Sequence, residues 1–362
     1  MKQLILLISG FSFAIGVVAQ PNNIAQLGLK LPPPTLCTGV KDQANSSTCW
    51  SFASNSFIES ELQRLGRGPF DLSEMFVARY SYLRKIETHL RLKGGNFFTP
   101  GGQYHDVMWV LKNHGMVPES AYPGLKNGKI YHDHADLDTV IKHYVAELLA
   151  RQVTQLQKAE YRYLDSVFDR YLGIVPDNFT YQNRNFTPRS FAKAMLDINP
   201  DDYIEITSYT HHPFYTRYVV EDKYNWSGDL YYNVPVSDFI TITQRALQKG
   251  YTVCWDGDVT ESSFEFDKGL AWLPYKGRNW QQERQRTLQD STSTIDHLMH
   301  ITAMVKDKKG NNWYCLKNSW GNYSNPLGGY LFMSEAYFNI KTTAIIVHKT
   351  ALPATIRKNI GL

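Results

Sequence analysis

The chain has 362 residues, 43% hydrophobic and 14% aromatic, with a formal net charge of +4. That is apolar material for a full core, in one large domain or two smaller ones. Charge is spread along the chain rather than run into blocks, so no nucleic-acid partner and no polybasic membrane surface is expected.

Met1-Lys2 opens an apolar stretch from Leu4 to Ala19, broken by Gly10 and Gly16. It is shorter than the ~20 residues of a spanning helix. With its Val17-Val18-Ala19 end it reads as a secretory signal peptide over residues 1–20. Export to the periplasm or the outside is the expectation, with no stable membrane insertion once the segment is removed. From Cys49 to Leu65 the pattern is helical, with Ile58, Leu62 and Leu65 on one stripe. Ser46, Ser47 and Thr48 supply capping residues ahead of it, and Gly66 ends it. Further helices are predicted near Ser73–Ile86 and over Tyr104–Asn113. Residues 138–172 contain no Pro or Gly, and their apolar residues recur at helical spacing, which predicts one or two long helices. Ser237 caps another, over Ser237–Lys249. Strand-like runs follow at Tyr251–Trp255, Met299–Val305, Trp313–Leu316 and Thr343–Val347. A helical first half and a sheet-bearing second half predict an α+β fold in two lobes.

Exported chains can hold disulfides, but four cysteines in this length do not make a disulfide framework. Cys254 and Cys315 fall in buried-strand patterns, where a thiol packs as a small hydrophobe. Cys37 lies in a Pro-rich lead-in. Cys49 is different, because it opens a helix. Unpaired backbone N–H groups and the helix dipole lower a thiol's pKa there, and the thiolate is the nucleophilic form. Asp296-His297 leads into one strand, and Asn318 ends the next. With the hairpin turn centred between Lys308 and Lys309, Asn318 falls opposite Met299, a same-face neighbour of His297. An amide oxygen there can accept the imidazole N–H and fix the ring. Gln43, on the loop before Cys49, is placed to donate to a developing oxyanion together with the Cys49 N–H. His132-Asp133-His134 and His211-His212 lie in polar segments without a further ligand pattern. They read as solvated surface, so no metal is expected.

A series of segments in order carries a family resemblance. Asp42-Gln43-Ala44-Asn45-Ser46-Ser47-Thr48-Cys49-Trp50-Ser51-Phe52-Ala53 resembles the active-site segment of papain-like cysteine peptidases. Leu72-Ser73-Glu74, Gly101-Gly102, the run from His114 to Pro123, Asp296-His297, Asn318-Ser319-Trp320-Gly321 and Gly328-Gly329-Tyr330 match later blocks. The resemblance implies a papain-like two-lobed fold with the cleft between the lobes. It implies Cys49 as nucleophile, His297 as base and then acid, Asn318 as orienter and Gln43 in the oxyanion hole. Trp320 would cover the His–Asn pair, and Gly101 and Gly102 would line the cleft, where bare backbone pairs with substrate. The glycines' structural role would be a tight turn. The substrates would be peptides, cleaved without metal or cofactor.

Two departures locate the chain within that family. Ser46 stands where the usual secreted enzymes carry a disulfide cysteine, and 248 residues separate Cys49 from His297, against ~130–150 in papain and the cathepsins. Phe57-Ile58-Glu59-Ser60-Glu61 and Leu72-Ser73-Glu74-Met75 resemble the bleomycin hydrolase and aminopeptidase C branch. That branch implies helical insertions, no disulfide, homo-oligomer assembly and aminopeptidase action. A C-terminal tail in the cleft is a further implication, with the Leu362 carboxylate meeting the substrate's amino end. The expected division is a helical lobe at about 38–127, an inserted helical region at about 128–200, a β-rich lobe at about 201–349 and a tail at 350–362. The rival readings are an endopeptidase, a related acyl transferase and a catalytically inactive papain-fold binding protein. Asn45-Ser46-Ser47 is a glycosylation sequon, and a glycan there would crowd the cleft. Export by a non-glycosylating, bacterial-type route is therefore favoured.

Overall fold

The computed structural model describes residues 23–33, 37–126, 128–274, 277 and 279–362. The expected signal peptide lies outside the described residues. Cys49–Arg64 forms helix α1. The apolar stripe read from the sequence is only part of its surface. Ser51, Ser54, Asn55, Glu59 and Glu61 are buried as well, while Leu65, just beyond its end, is 44% exposed. A helix buried all round sits at the centre of a packed layer rather than at its edge. Thr48 occupies the N-cap without a capping side-chain bond; its hydroxyl turns to Ser46 instead.

Around α1 pack α2 (Glu74–Arg91), capped by the Ser73 hydroxyl, and α3 (Tyr104–His114). The Pro-free stretch resolves into two helices, α4 (Ala135–Ala150) and α5 (Lys158–Leu172). Leu137, Ile141, Leu148, Leu164 and Phe168 share one apolar core with Phe57, Ile58 and Leu62. The long helices thus thicken the first lobe.

The second lobe is built on a sheet of ten strands. In chain order they are β1 (Tyr203–Thr207), β2 (Arg217–Val219), β3 (Leu230–Asn233), β4 (Val253–Gly257), β5 (Phe264–Glu265), β6 (Leu270–Ala271), β7 (His297–Lys306), β8 (Asn312–Lys317), β9 (Tyr330–Ser334) and β10 (Thr342–His348). Their spatial order is β2-β3-β1-β10-β4-β7-β8-β9-β6-β5. Side chains alternate across the sheet. On one face Cys254, Leu298 and Ile346 join the α1 core. On the other, Val253, Trp255, Met299 and Ile345 pack with Phe239 and Ile242 of α6 (Val236–Gln248). Ser237 does not cap α6; Pro235 precedes it, and the Val236 N–H donates to Gln281 Oε1 at 2.7 Å.

Polar groups tie the lobes. Glu59, from α1, is held within its own lobe by the Leu72 N–H at 2.8 Å and the Thr38 hydroxyl at 2.6 Å, and it interacts across the seam with the charge of Lys317. Lys317, from β8, donates to Thr38 and to Ser56 of α1 at 3.0 and 2.9 Å. Farther along the seam, His105 Nδ1 of α3 lies 3.1 Å from Glu205 of β1. All four cysteines, Cys37, Cys49, Cys254 and Cys315, are free thiols. Among the described residues, no helix is long and apolar enough to cross a membrane.

Candidate active site

The lobes meet along a cleft of about 440 Å³, lined by Gln43, Cys49, Gly101 and Gly102 on one side and Asp256, His297 and Trp320 on the other. Cys49 is the first residue of α1 and keeps part of its surface exposed. The backbone N–H groups of Leu298 and Trp50 donate to its sulfur. Leu298 follows His297 in β7, so this bond seats the sulfur beside the imidazole.

His297 Nε2 lies 2.8 Å from Asn318 Oδ1. An amide oxygen only accepts, so Nε2 carries the proton and Nδ1 is left free to take one. Asn318 Oδ1 also accepts the Ser319 N–H at 2.8 Å. The Trp320 ring covers the pair, its centroid 4.9 Å from that of His297, and Phe266 backs Trp320 in turn.

The register that brings Asn318 to His297 arises differently from the sequence reading. The turn is centred at Lys309, with Lys306 opposite Asn312. A bulge at Thr302 then absorbs one residue, so Lys317 pairs with His300 and Asn318 ends beside Met299 after all.

The helix terminus does not decide the thiol's pKa. Burial pushes Cys49 up to about 11, against the two N–H bonds. Burial also holds His297 down to about 4, against the Asn318 bond. Either charge alone is disfavoured in this cleft. A thiolate persists only with its proton on the adjoining imidazole, each charge serving as the other's partner.

Gln43 is stitched to the same turn. Its backbone N–H donates to the Ser319 carbonyl at 2.8 Å, and its Oε1 accepts from the Ser319 hydroxyl at 2.7 Å. The acceptor end of the amide is thereby committed. Gly101 and Gly102 do not take the left-handed φ of a tight turn. They are glycines because of close packing: a Cβ would lie 2.5 Å from the Tyr224 ring at Gly101, and 2.9 Å from Trp50 and Asp106 at Gly102. Lys85 went unremarked in the sequence. Buried in α2, it donates to the carbonyls of Thr99, at 2.9 Å, and Gly101. Burial lowers its pKa to about 8.

Leu362 is not brought to the cleft. Its N–H closes the end of the Ala354–Asn359 helix by donating to Arg357 O at 2.9 Å. Ile356 and Ile360 draw that helix into the core around Phe239, on the sheet face away from α1. His132 and His134 are not solvated surface either. Asn45 and its backbone pair with residues 132–134, which buries both rings and holds each imidazole down to about 4. His211 and His212 gain a companion that the sequence pattern did not suggest. Both direct Nε2 at Glu221, and the ligand atoms of the three lie within 4.8 Å of one another. Asp256 was also missed. A lone carboxyl in the apolar run Val253-Cys254-Trp255 was the available signal.

A two-lobed fold that presents a helix-start cysteine and a histidine–asparagine pair to one cleft defines a papain-like cysteine peptidase. The chain belongs to the Peptidase C1-like family, whose model matches residues 35–361. It is 25% identical over 365 residues to aminopeptidase C of Streptococcus thermophilus, covering 87% of this chain and 81% of the relative. With aminopeptidase C of Lactobacillus delbrueckii subsp. lactis it shares 23% identity over 367 residues, covering 88% and 81%. Among solved structures, PepW from Lactobacillus rhamnosis matches with a TM-score of 0.70 at 21% identity, covering 90% of this chain and 83% of that one. The chain is accordingly a hydrolase of peptide substrates.

Proposed function

We propose that the protein is a cysteine aminopeptidase in which Cys49, His297, Asn318 and Gln43 carry the reaction. Cys49 Sγ attacks the carbonyl carbon of the amino-terminal residue while His297 Nδ1 takes the thiol proton. Gln43 and the Cys49 N–H receive the oxyanion. His297 returns the proton to the departing amine, which leaves an acyl-thioester on Cys49. Water, deprotonated by His297, then releases the amino acid and restores the thiol. Asn318 holds the ring. The observation that carries this reading is the 2.8 Å contact between His297 Nε2 and Asn318 Oδ1, which leaves Nδ1 as the base. The names of the aminopeptidase C relatives support the exopeptidase half.

The test is digestion of a mixed peptide library read by mass spectrometry. Stepwise loss of amino-terminal residues is expected, and internal cuts would replace the reading with an endopeptidase. Cys49→Ala should abolish turnover without unfolding the chain, His297→Ala should lose nearly as much, and Asn318→Ala less. Equal turnover by Cys49→Ala would sink the mechanism. Export is proposed on the Leu4–Ala19 segment alone. The 2.8 Å bond from Asn45 to Asp133 supports a non-glycosylating route, because a glycan on the same nitrogen would crowd that contact. An intact Met1 on the native protein, found by N-terminal sequencing, would rule out removal of this segment as a signal peptide.

A further inference from the structure

An aminopeptidase needs a group that recognises the substrate's free amino end. The α-ammonium of the residue being released is only two bonds, ~2.5 Å, from the carbonyl carbon that Cys49 attacks. Its anchor must therefore lie in the immediate surroundings of the nucleophile. Ile356 and Ile360 hold the last helix on the sheet face away from α1, so the candidates for that anchor are the side chains that line the cleft.

Asp256 meets the requirement. It stands on β4 directly opposite Leu298 of β7, the residue whose N–H reaches the Cys49 sulfur. By strand alternation it shares the face of Cys254, toward the helical lobe. It lines the cleft together with Gly101 and Gly102, and the Gln103 side chain bonds to it. It is 2% exposed, and its Oδ1 has no hydrogen-bond partner. Of the charged groups that act on Cys49, Asp256 is foremost. Asp296, which also lines the cleft, is already committed: its carboxylate accepts from the Val259 N–H at 3.1 Å and from the Thr294 hydroxyl at 2.5 Å.

We infer that Asp256 is the specificity residue that binds the free α-ammonium of the substrate's amino-terminal residue. This rests on the aminopeptidase reading above. The strongest charges around Asp256 are themselves carboxyls, Asp222, Glu205 and Asp296. Together with burial they raise its pKa well above the usual range. A buried carboxyl without a cation is therefore what the unliganded cleft holds. An arriving ammonium supplies the missing charge and a donor for the open oxygen. An N-acylated substrate brings no cation to draw the carboxyl into its charged form, so discrimination against blocked peptides follows from the same group.

The test uses three fluorogenic amides of one scissile residue, alanine: with a free amine, N-acetylated, and extended by N-acetyl-lysine. The last carries its cation on a side chain. Wild type and Asp256→Asn are compared after titrating active sites with an epoxysuccinyl thiol reagent, so that loss of folded enzyme is not read as loss of specificity. The wild type is expected to favour the free amine over the acetylated form at least ten-fold in kcat/KM. In Asp256→Asn the ratio should fall to within about three-fold, mostly through KM. A wild type with no preference would overturn the aminopeptidase reading itself. A preference that survives in Asp256→Asn would overturn only the assignment of Asp256. A wild type that prefers the lysine-extended amide, and loses this in Asp256→Asn, would show a reader of side-chain cations and overturn the α-ammonium assignment. Should Asp256→Asn give no titratable site, Asp256→Glu decides by the same ratio: a retained free-amine preference supports the assignment, and its loss to the level of no preference in a fully titratable enzyme overturns it.

Discussion

Cys49 shows what a single residue owes to its neighbour. Its surroundings push the thiol up to about 11 through burial, and push the partner imidazole down to about 4. In the proposed mechanism Cys49 is therefore activated by the pair and not by the helix start alone. In His297→Ala, Cys49 should behave as an isolated buried thiol. Its alkylation by iodoacetamide, followed by mass spectrometry, should stay slow through neutral pH and rise only on approach to about 11. In the unaltered enzyme His297 takes the proton, and alkylation should proceed well below that range. Identical pH profiles for the two would show that the imidazole does not hold the thiol's proton.

Among elements, helices were the most legible, because a packed helix repeats its apolar contacts every turn. The α3 prediction ends within a residue of the structure, where Gly115 stops the helix. What the sequence concealed was polarity inside. Glu59 and Glu61 look like solvent-facing residues in a helical pattern; Lys41 and Lys317, arriving from elsewhere, make the burial of Glu59 tolerable, and Arg64, one turn on in the same helix, does so for Glu61. The His297–Asn318 pairing was legible for an incomplete reason, since the turn sits half a residue later than assumed and the Thr302 bulge compensates. A bulge has no dependable residue signature, so it could not be read in advance. The seam between α3 and β1 is a case where partners decide the charge. Burial opposes a proton on His105, but Glu205, with Asp106 and Asp229 behind it, raises the imidazole to about 9. The folded value lies above the unfolded ~6.5, so the stabilisation is full below ~6.5 and is lost as pH rises through 9. It amounts to roughly 3 kcal/mol at most. In urea titrations, His105→Gln should be less stable than the wild type by the largest margin near about pH 6, with the gap narrowing by about pH 10. A gap that does not change with pH would assign His105 a packing role only.

For the whole molecule, the tail is the clearest difference from expectation. Family resemblance placed Leu362 in the cleft, but Ile356 and Ile360 are apolar anchors that bury against α6. Removing residues 359–362 deletes Ile360, whose burial contributes about 2 kcal/mol. The truncated enzyme should melt at lower temperature, while its ratio of turnover on free and N-acetylated peptides stays as in the full chain. A changed ratio would mean that the tail reaches substrate after all.

The reaction centre is also divided in its support. Cys49 is carried by the helical core and His297 by the sheet, and the two touch only across the seam that Glu59, Lys317, His105 and Glu205 hold together. Chemistry that depends on a fraction of an ångström across that seam is more fragile than either core. In rising urea, turnover should fall before far-UV circular dichroism does; coincident transitions would mean that the lobes part only when they melt. A peptidase so arranged carries its own safety catch: a copy loosened by heat or damage disarms before it comes apart.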